Sequence, residues 1–287
     1  MRKKPLLLLP VAFLLTASTA FCQTPSCDQL TAAQKELALV LLASQYLYDC
    51  CDQPISECLS KKPVCRLAYR LAESICRRAQ AGQNREQIVR GLSRRARSML
   101  PTRAPAQIDL TSSPMAGDPD APVVLVVYAC ARCPFCTSIV PPVYREILKG
   151  RLKGKARLYF KVFPIRGHPY SKETGLGFVA AARMVGFWPF MIYSYENFDS
   201  FCVKKQLDWA AESGLEPQVF EQLANAPDTR AMLVESKKEG LRNKVDATPT
   251  FFINGRKYVG TLELEELIDV LEEEHERLEG LVYMETP

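Results

Sequence analysis

The spacing of apolar residues changes along this chain, and each change predicts an element. From Thr31, the stretch TAAQKELALVLLASQYLY sets apolar residues at helical intervals behind an N-cap threonine, predicting a helix to about Tyr48. A turn-rich, cysteine-dense segment follows, DCCDQPISECLSKKPVC. Then come RLAYRLAESICRRAQ and REQIVRGLSRRARSML, both periodic as helices and parted near Gly82. Pro101 to Pro105 breaks the pattern and reads as a linker.

Past the linker the period becomes that of strands. Ile108-Asp109-Leu110 suits a short edge strand, and the β-branched run Pro122 to Ala129 a buried one. Pro134 to Lys149 predicts a helix that bends at Pro141-Pro142, because proline lacks the N–H and crowds the preceding turn. Ala156 to Phe163 predicts another strand, hence a strand, helix, strand unit with a right-handed crossover. Ser171 to Glu239 reads as mostly helical, broken at Gly186, Gly214 and Pro227. Thr250 to Ile253 and Lys257 to Val259 flank Asn254-Gly255, a two-residue hairpin signal, and Leu262 to Leu278 is a terminal amphipathic helix. The fold class is α/β, with a small cysteine-rich all-α domain at 21–100, a linker at 101–106 and a larger domain at 107–280 whose helical insertion spans about 169–245.

The start of the chain adds a compartment. Arg2, Lys3 and Lys4 precede an apolar run from Leu6 to Leu15 and a small-residue end, Ser18-Thr19-Ala20, the pattern of a signal peptide over 1–20. Cys22 follows, but Phe21 and Thr19 depart from a lipobox. No later segment approaches the roughly 20 apolar residues of a membrane span. Export, with a periplasmic location, is the expectation. All eleven cysteines lie beyond this leader, which suits a compartment where disulfides persist.

Charge is modest overall, +5, but uneven. Lys61 to Arg103 holds twelve basic residues against Glu73 and Glu86, while Glu263 to Glu279 forms an acidic helix face. Nucleic acid is a poor partner for an exported chain. The basic run reads either as a solvated helix surface or as a face for anionic lipid headgroups or an acidic protein surface.

The chemistry centres on VVLVVYACARCPFC, where a buried strand delivers Cys133-Pro134-Phe135-Cys136 to a helix start. A thiolate there is stabilised by unpaired backbone N–H groups and the helix dipole, so Cys-x-x-Cys in this context reads as a redox pair. Cys133, at the exposed helix start, is the expected nucleophile, and Cys136, one turn inside, the resolving thiol. Arg132 is expected to lower the pKa of Cys133, while Phe135 offers an apolar platform without charge.

Four ordered elements carry a family resemblance: Gly117-Asp118-Pro119-Asp120-Ala121-Pro122-Val123; Cys133-Pro134-Phe135-Cys136; Phe163-Pro164-Ile165 leading to His168-Pro169; and Ala247-Thr248-Pro249-Thr250-Phe251-Phe252-Ile253-Asn254-Gly255. Together they resemble the DsbA-like branch of the thioredoxin superfamily over about residues 107–278. The resemblance implies a thioredoxin fold that exchanges thiols and disulfides on exported proteins. It implies a cis Thr248-Pro249 bond facing the pair, with the Thr248 backbone free for an extended substrate. Reduced exported proteins are the implied clients, and a quinone-linked membrane thiol oxidase is the implied partner. No cofactor is required. The family's strong oxidants carry histidine where this chain has Phe135, which leaves the direction of exchange open between oxidase and isomerase or reductase.

The remaining cysteines divide by position. Cys130, Cys133 and Cys136 form a Cys-x-x-Cys-x-x-Cys run, so a copper- or zinc-binding interaction module is the alternative from another class. Cys202 is a candidate partner for Cys130. His168 is expected to cap a helix or lie at the surface, or else to adjust local charge near the site, and Trp188 with the aromatic cluster Phe187 to Tyr195 to line a peptide groove or pack in the core. Cys27, Cys50, Cys51, Cys58, Cys65 and Cys76 are candidates for three structural disulfides, or for a second redox relay at adjacent Cys50-Cys51. Cys65 and Cys76 fall on one predicted helix about 16 Å apart, so each must pair elsewhere.

Overall fold

A computed structural model describes residues 24–101, 104–184 and 186–285. The leader and Cys22 lie outside the described residues. The N-terminal unit comprises α1 (Pro25–Asp28), α2 (Ala32–Ser44), α3 (Ile55–Leu59), β1 (Val64–Cys65), α4 (Arg66–Gln80) and α5 (Arg85–Met99). Capping boxes start its helices: Thr31 and Gln34 satisfy each other's backbone N–H groups at α2, and Asn84 and Gln87 do so at α5. Helix α2 stops at Ser44, short of Tyr48, because Gln45 turns extended and Tyr46 bridges to Pro54, closing the cysteine loop.

The second unit contains β2 (Met115–Ala116), β3 (Val123–Ala129), α6 (Pro134–Lys149), β4 (Ala156–Val162), α7 (Ser171–Ala182), α8 (Phe187–Glu196), α9 (Lys205–Glu212), α10 (Pro217–Asn225), α11 (Pro227–Arg242), β5 (Thr250–Ile253), β6 (Arg256–Lys257), α12 (Leu264–Leu278) and β7 (Tyr283–Met284). The sheet order is β2-β4-β3-β5-β6, with β3 and β4 parallel and the other pairs antiparallel. Side chains alternate across β3: Val123, Leu125 and Val127 enter the large core, while Val126 and Tyr128 enter a second core with Phe163, Val245 and Phe252. Both faces of this strand are covered, so nearly every residue on it is apolar.

Two expected strands fall elsewhere. Ile108 to Leu110 is not a strand: Glu239 takes the Asp109 N–H, and Lys161 donates to the Asp109 carbonyl. The edge strand is β2, opposite Leu158 and Tyr159. Strand β6 ends at Lys257, and the Val259 N–H goes to Ser98 Oγ on α5 instead. The hairpin turn is as the dipeptide predicts, with Asn254 at φ 47 and Gly255 at φ 78. Helix α6 continues through Pro141 and Pro142 to Lys149.

The two units meet along α12. Its apolar face, Leu267, Ile268, Val270 and Leu271, enters the large core. Its acidic face receives the basic run. Arg95, 0 % exposed, pairs with Asp269 and Glu273; Arg70 with Asp269 and Glu276; Arg77 and Arg78 with Glu266; and Arg66 with Glu276. The acidic protein surface that these arginines meet is therefore the chain's own terminal helix. Burial works to raise the Asp269 pKa, but Arg95 and Arg70 hold it below the usual carboxylate range. Strands β1 and β7 pair antiparallel, tying the C-terminal segment back to the cysteine-rich unit.

Candidate active site

Strand β3 ends at Ala129, and the turn Cys130-Ala131-Arg132 leads into α6, whose N-cap is Cys133. Pro134 at the first helical position has no N–H to leave unpaired and a backbone angle already suited to the helix. The Cys133 N–H donates to the Cys130 carbonyl at 3.1 Å, fixing the turn. Antiparallel pairing of Tyr128 with Thr250 brings the residues just before β5 to the same end of the sheet. The bond there, Thr248-Pro249, is cis. Cys133 Sγ donates to the Thr248 carbonyl at 3.2 Å, so the sequence-predicted pair and the proline turn come together.

Cys133 is 1 % exposed rather than open at the helix start, because Thr248 closes over it. Its pKa is pulled down to about 5. A hydrogen bond from the Cys136 thiol contributes most, burial opposes, and the Thr248 side chain and the N–H groups of Cys136 and Phe135 add to the stabilisation. Thr248 Oγ1 is buried with no other partner, so its hydroxyl is available to a thiolate. Burial pushes the Cys136 thiol up, which keeps it protonated and donating.

Arg132 takes a different place from the one its position implies. Its guanidinium lies 4.1 Å from the Phe198 ring centroid and 4.8 Å from that of Phe201, and donates to the Phe198 carbonyl at 2.5 Å. The groups that acidify Cys133 most are its thiol neighbour and the Thr248 side chain, followed by helix-start N–H groups. Phe135 stands 66 % exposed beside the pair, an uncharged platform. Trp188 is half-buried and packs against the large core, stacked on Tyr144 at 4.7 Å and donating to the Met115 carbonyl.

Cys130 is buried and faces His168 Nδ1 at 3.3 Å and Ser171 Oγ at 3.2 Å; Cys202 is exposed with its thiol free. Among the described residues, no three His, Cys, Asp or Glu side chains are arranged to hold a metal ion. The structure joins Cys27 to Cys76, Cys50 to Cys65 and Cys51 to Cys58. Cys65 is the N-cap of α4 rather than a residue within it. Sequence reasoning placed Tyr195 in an aromatic cluster and His168 near the site, but missed that the buried Tyr195 hydroxyl donates to the Cys130 carbonyl at 3.2 Å and that His168 meets the Cys130 sulfur. The available signals were that the chain has two histidines and that one of them, His168, follows the Phe163-Pro164 turn.

The Thioredoxin family model matches residues 110–273. Oxidised BdbD from Bacillus subtilis superposes with a TM-score of 0.53 at 20% identity, over 60% of this chain and 98% of that one. The alpha-DsbA1 protein of Wolbachia pipientis gives 0.52 at 22% identity, over 61% and 96%. Among curated relatives, the Na(+)/H(+) antiporter NhaA 1 of Mycolicibacterium gilvum is 24% identical over 168 residues, 58% of this chain. The chain spans about a quarter of the length of the curated relatives it matches, 27% in that case. With the family match covering more than half of its length, the chain belongs to the thioredoxin family and has the fold of the DsbA-like proteins.

Proposed function

We propose that the protein is an exported thiol-disulfide oxidoreductase that oxidises cysteines of exported client proteins. One observation carries the reading: the thiolate-stabilised Cys133 at the start of α6, backed by the shielded Cys136 and met by Thr248 before the cis-proline. A client thiolate attacks Cys133 Sγ of the Cys133–Cys136 disulfide. The S–S bond breaks, Cys136 leaves as a thiolate and takes a proton, and a client–Cys133 disulfide forms. A second client thiolate then attacks the client sulfur and expels Cys133 as a thiolate. The client loses two electrons and the pair gains them. A leaving thiol with a low pKa departs faster, and a stabilised thiolate favours the reduced pair, so the geometry supports the oxidising direction despite Phe135.

The leader pattern supports a periplasmic setting, where a quinone-linked membrane thiol oxidase would restore the disulfide. No helix among the described residues is long and apolar enough to cross a membrane. Arg90, Arg94 and Arg97 on the exposed side of α5 remain for contact with an anionic membrane surface. The test is oxidation of a reduced model dithiol protein by the wild type, Cys133→Ser and Cys136→Ser. Cys133→Ser and Cys136→Ser should both lose this oxidation, because neither can form the Cys133–Cys136 disulfide, while reduced Cys136→Ser mixed with a disulfide-bonded model peptide should trap a mixed disulfide on Cys133; full activity in Cys133→Ser refutes the site. A reduction potential near about −120 mV fits an oxidant, and one near about −270 mV reverses the direction.

A further inference from the structure

Cys130 takes no part in the exchange steps above, yet its sulfur is fully enclosed and met from three sides. His168 Nδ1 lies 3.3 Å away, Ser171 Oγ 3.2 Å, and the Arg132 backbone N–H donates to it at 3.4 Å. Ser171 Oγ already accepts the Ile165 N–H at 2.8 Å, so its hydrogen is free to point at the sulfur. Two donors therefore converge on Cys130 Sγ. The third neighbour, His168, is an imidazole able to take the proton. Through its carbonyl, Cys130 also holds the Cys133 N–H and the Tyr195 hydroxyl. One residue thus links the loop before α7 to the helix start that carries Cys133.

We propose that His168 and Cys130 form a thiol–imidazole pair that positions the Cys133–Cys136 centre and transmits the charge of His168 to the Cys133 thiolate. The proposal rests on Cys133 being the exchange thiol. Proton transfer breaks the Cys130 S–H bond and forms an N–H bond at His168 Nδ1, leaving the pair neutral overall. A further proton from solvent on Cys130 gives thiol and imidazolium, one positive charge beneath the helix start, which favours the Cys133 thiolate. Loss of the imidazolium proton leaves one negative charge, which opposes it.

The other groups facing the pair do not supply this response. Arg132, on the same turn, keeps its charge. Lys237 on α11, with Nζ 3.3 Å from the Phe163 ring centroid, is drawn down by burial and supported by Cys130. The Tyr195 phenol on α8 is held neutral by burial, Cys136 is held protonated, and Cys133 is the group being read. Histidine is the residue type whose unperturbed side chain changes charge between about pH 5 and 8.

The experiment uses the reduced full chain. Thiolate absorbance is titrated against pH, and iodoacetamide labelling mapped by mass spectrometry identifies the reacting cysteine. His168→Gln should raise the Cys133 midpoint by about one unit and narrow the titration. Cys130→Ala should act in the same direction, with the double variant shifting no further than the larger single change. Ser171→Ala, which leaves both members in place, should give a smaller rise and serves if His168→Gln does not fold. A midpoint unchanged in His168→Gln, or a His168→Gln shift of equal size in the Cys130→Ala background, overturns the proposal. Labelling that falls on a cysteine other than Cys133 removes the exchange reading itself and this proposal with it.

Discussion

The Cys133 thiol donates to the Thr248 carbonyl, Sγ to oxygen at 3.2 Å, so the residue before the cis-proline covers the sulfur of the proposed exchange. Once Cys133 ionises it has no proton to donate, and the Thr248 hydroxyl becomes the partner instead. Thr248→Val removes that hydroxyl while keeping the shape. The Cys133 pKa should rise by about one unit, since a hydrogen bond to a charged group contributes about 1.5–3 kcal/mol and one unit corresponds to about 1.4 kcal/mol. Thiolate absorbance measures it; an unchanged midpoint shows that the hydroxyl does not reach the sulfur.

The depressed pKa of Cys133 also makes the stability of the reduced protein depend on pH. The folded value is about 5, while an unfolded thiol ionises near about 8.5. Above the unfolded value the contribution is fully present, and it is lost as pH falls through the folded one. Reduced wild type should therefore lose stability relative to Cys133→Ser as pH drops from about 8.5 to about 5. Denaturant midpoints of the two proteins across that window check the sign.

Arg132→Ala should leave the Cys133 titration close to wild type, because the guanidinium is held over Phe198 and Phe201. The loss should appear as a lower melting temperature, on the order of 1 kcal/mol of cation–π and packing contact. A rise in the Cys133 midpoint would restore the electrostatic role that its sequence position implies.

Arg95→Met should be strongly destabilising. The side chain is enclosed, and its removal strands Asp269 and Glu273 without their main counter-charge. Breaking a buried pair on one side costs about 3–5 kcal/mol. Urea unfolding measures the loss, and a change under about 1 kcal/mol would mean that water reaches these carboxylates.

Peptide mapping without reduction should recover Cys27 with Cys76, Cys50 with Cys65 and Cys51 with Cys58, leaving Cys202 open to alkylation in the folded protein. Recovery of Cys130 joined to Cys202 would contradict the burial of Cys130 against His168 and Ser171.

Elements with a strong local cause were legible in the sequence. Helix α6 begins at Pro134 and ends at Lys149 as the pattern predicts, because a cysteine N-cap, a proline and an amphipathic run agree. The Asn254-Gly255 turn was legible for the same reason, since its backbone angles suit few other residues. Contacts set by distant chain segments were not. Asp109 looks like a strand residue until Glu239 and Lys161 occupy its backbone groups from across the fold. Cys133 looks exposed until the register of β5 carries Thr248 onto it. The arginines of α4 and α5 look like a surface for a partner, because nothing local says that α12 will fold against them.

That ionic seam bears on modularity. By composition, Pro101 to Pro105 divides the chain into a cysteine-rich piece and a larger one, and a shortened protein starting there would keep every strand of the five-stranded sheet. It would also present Glu266, Asp269, Glu273 and Glu276 to water along one bare helix, with the arginines that neutralise them gone. The cysteine-rich unit thus acts as the counter-ion of the thioredoxin unit, and a cut at the linker separates charges that the intact chain neutralises.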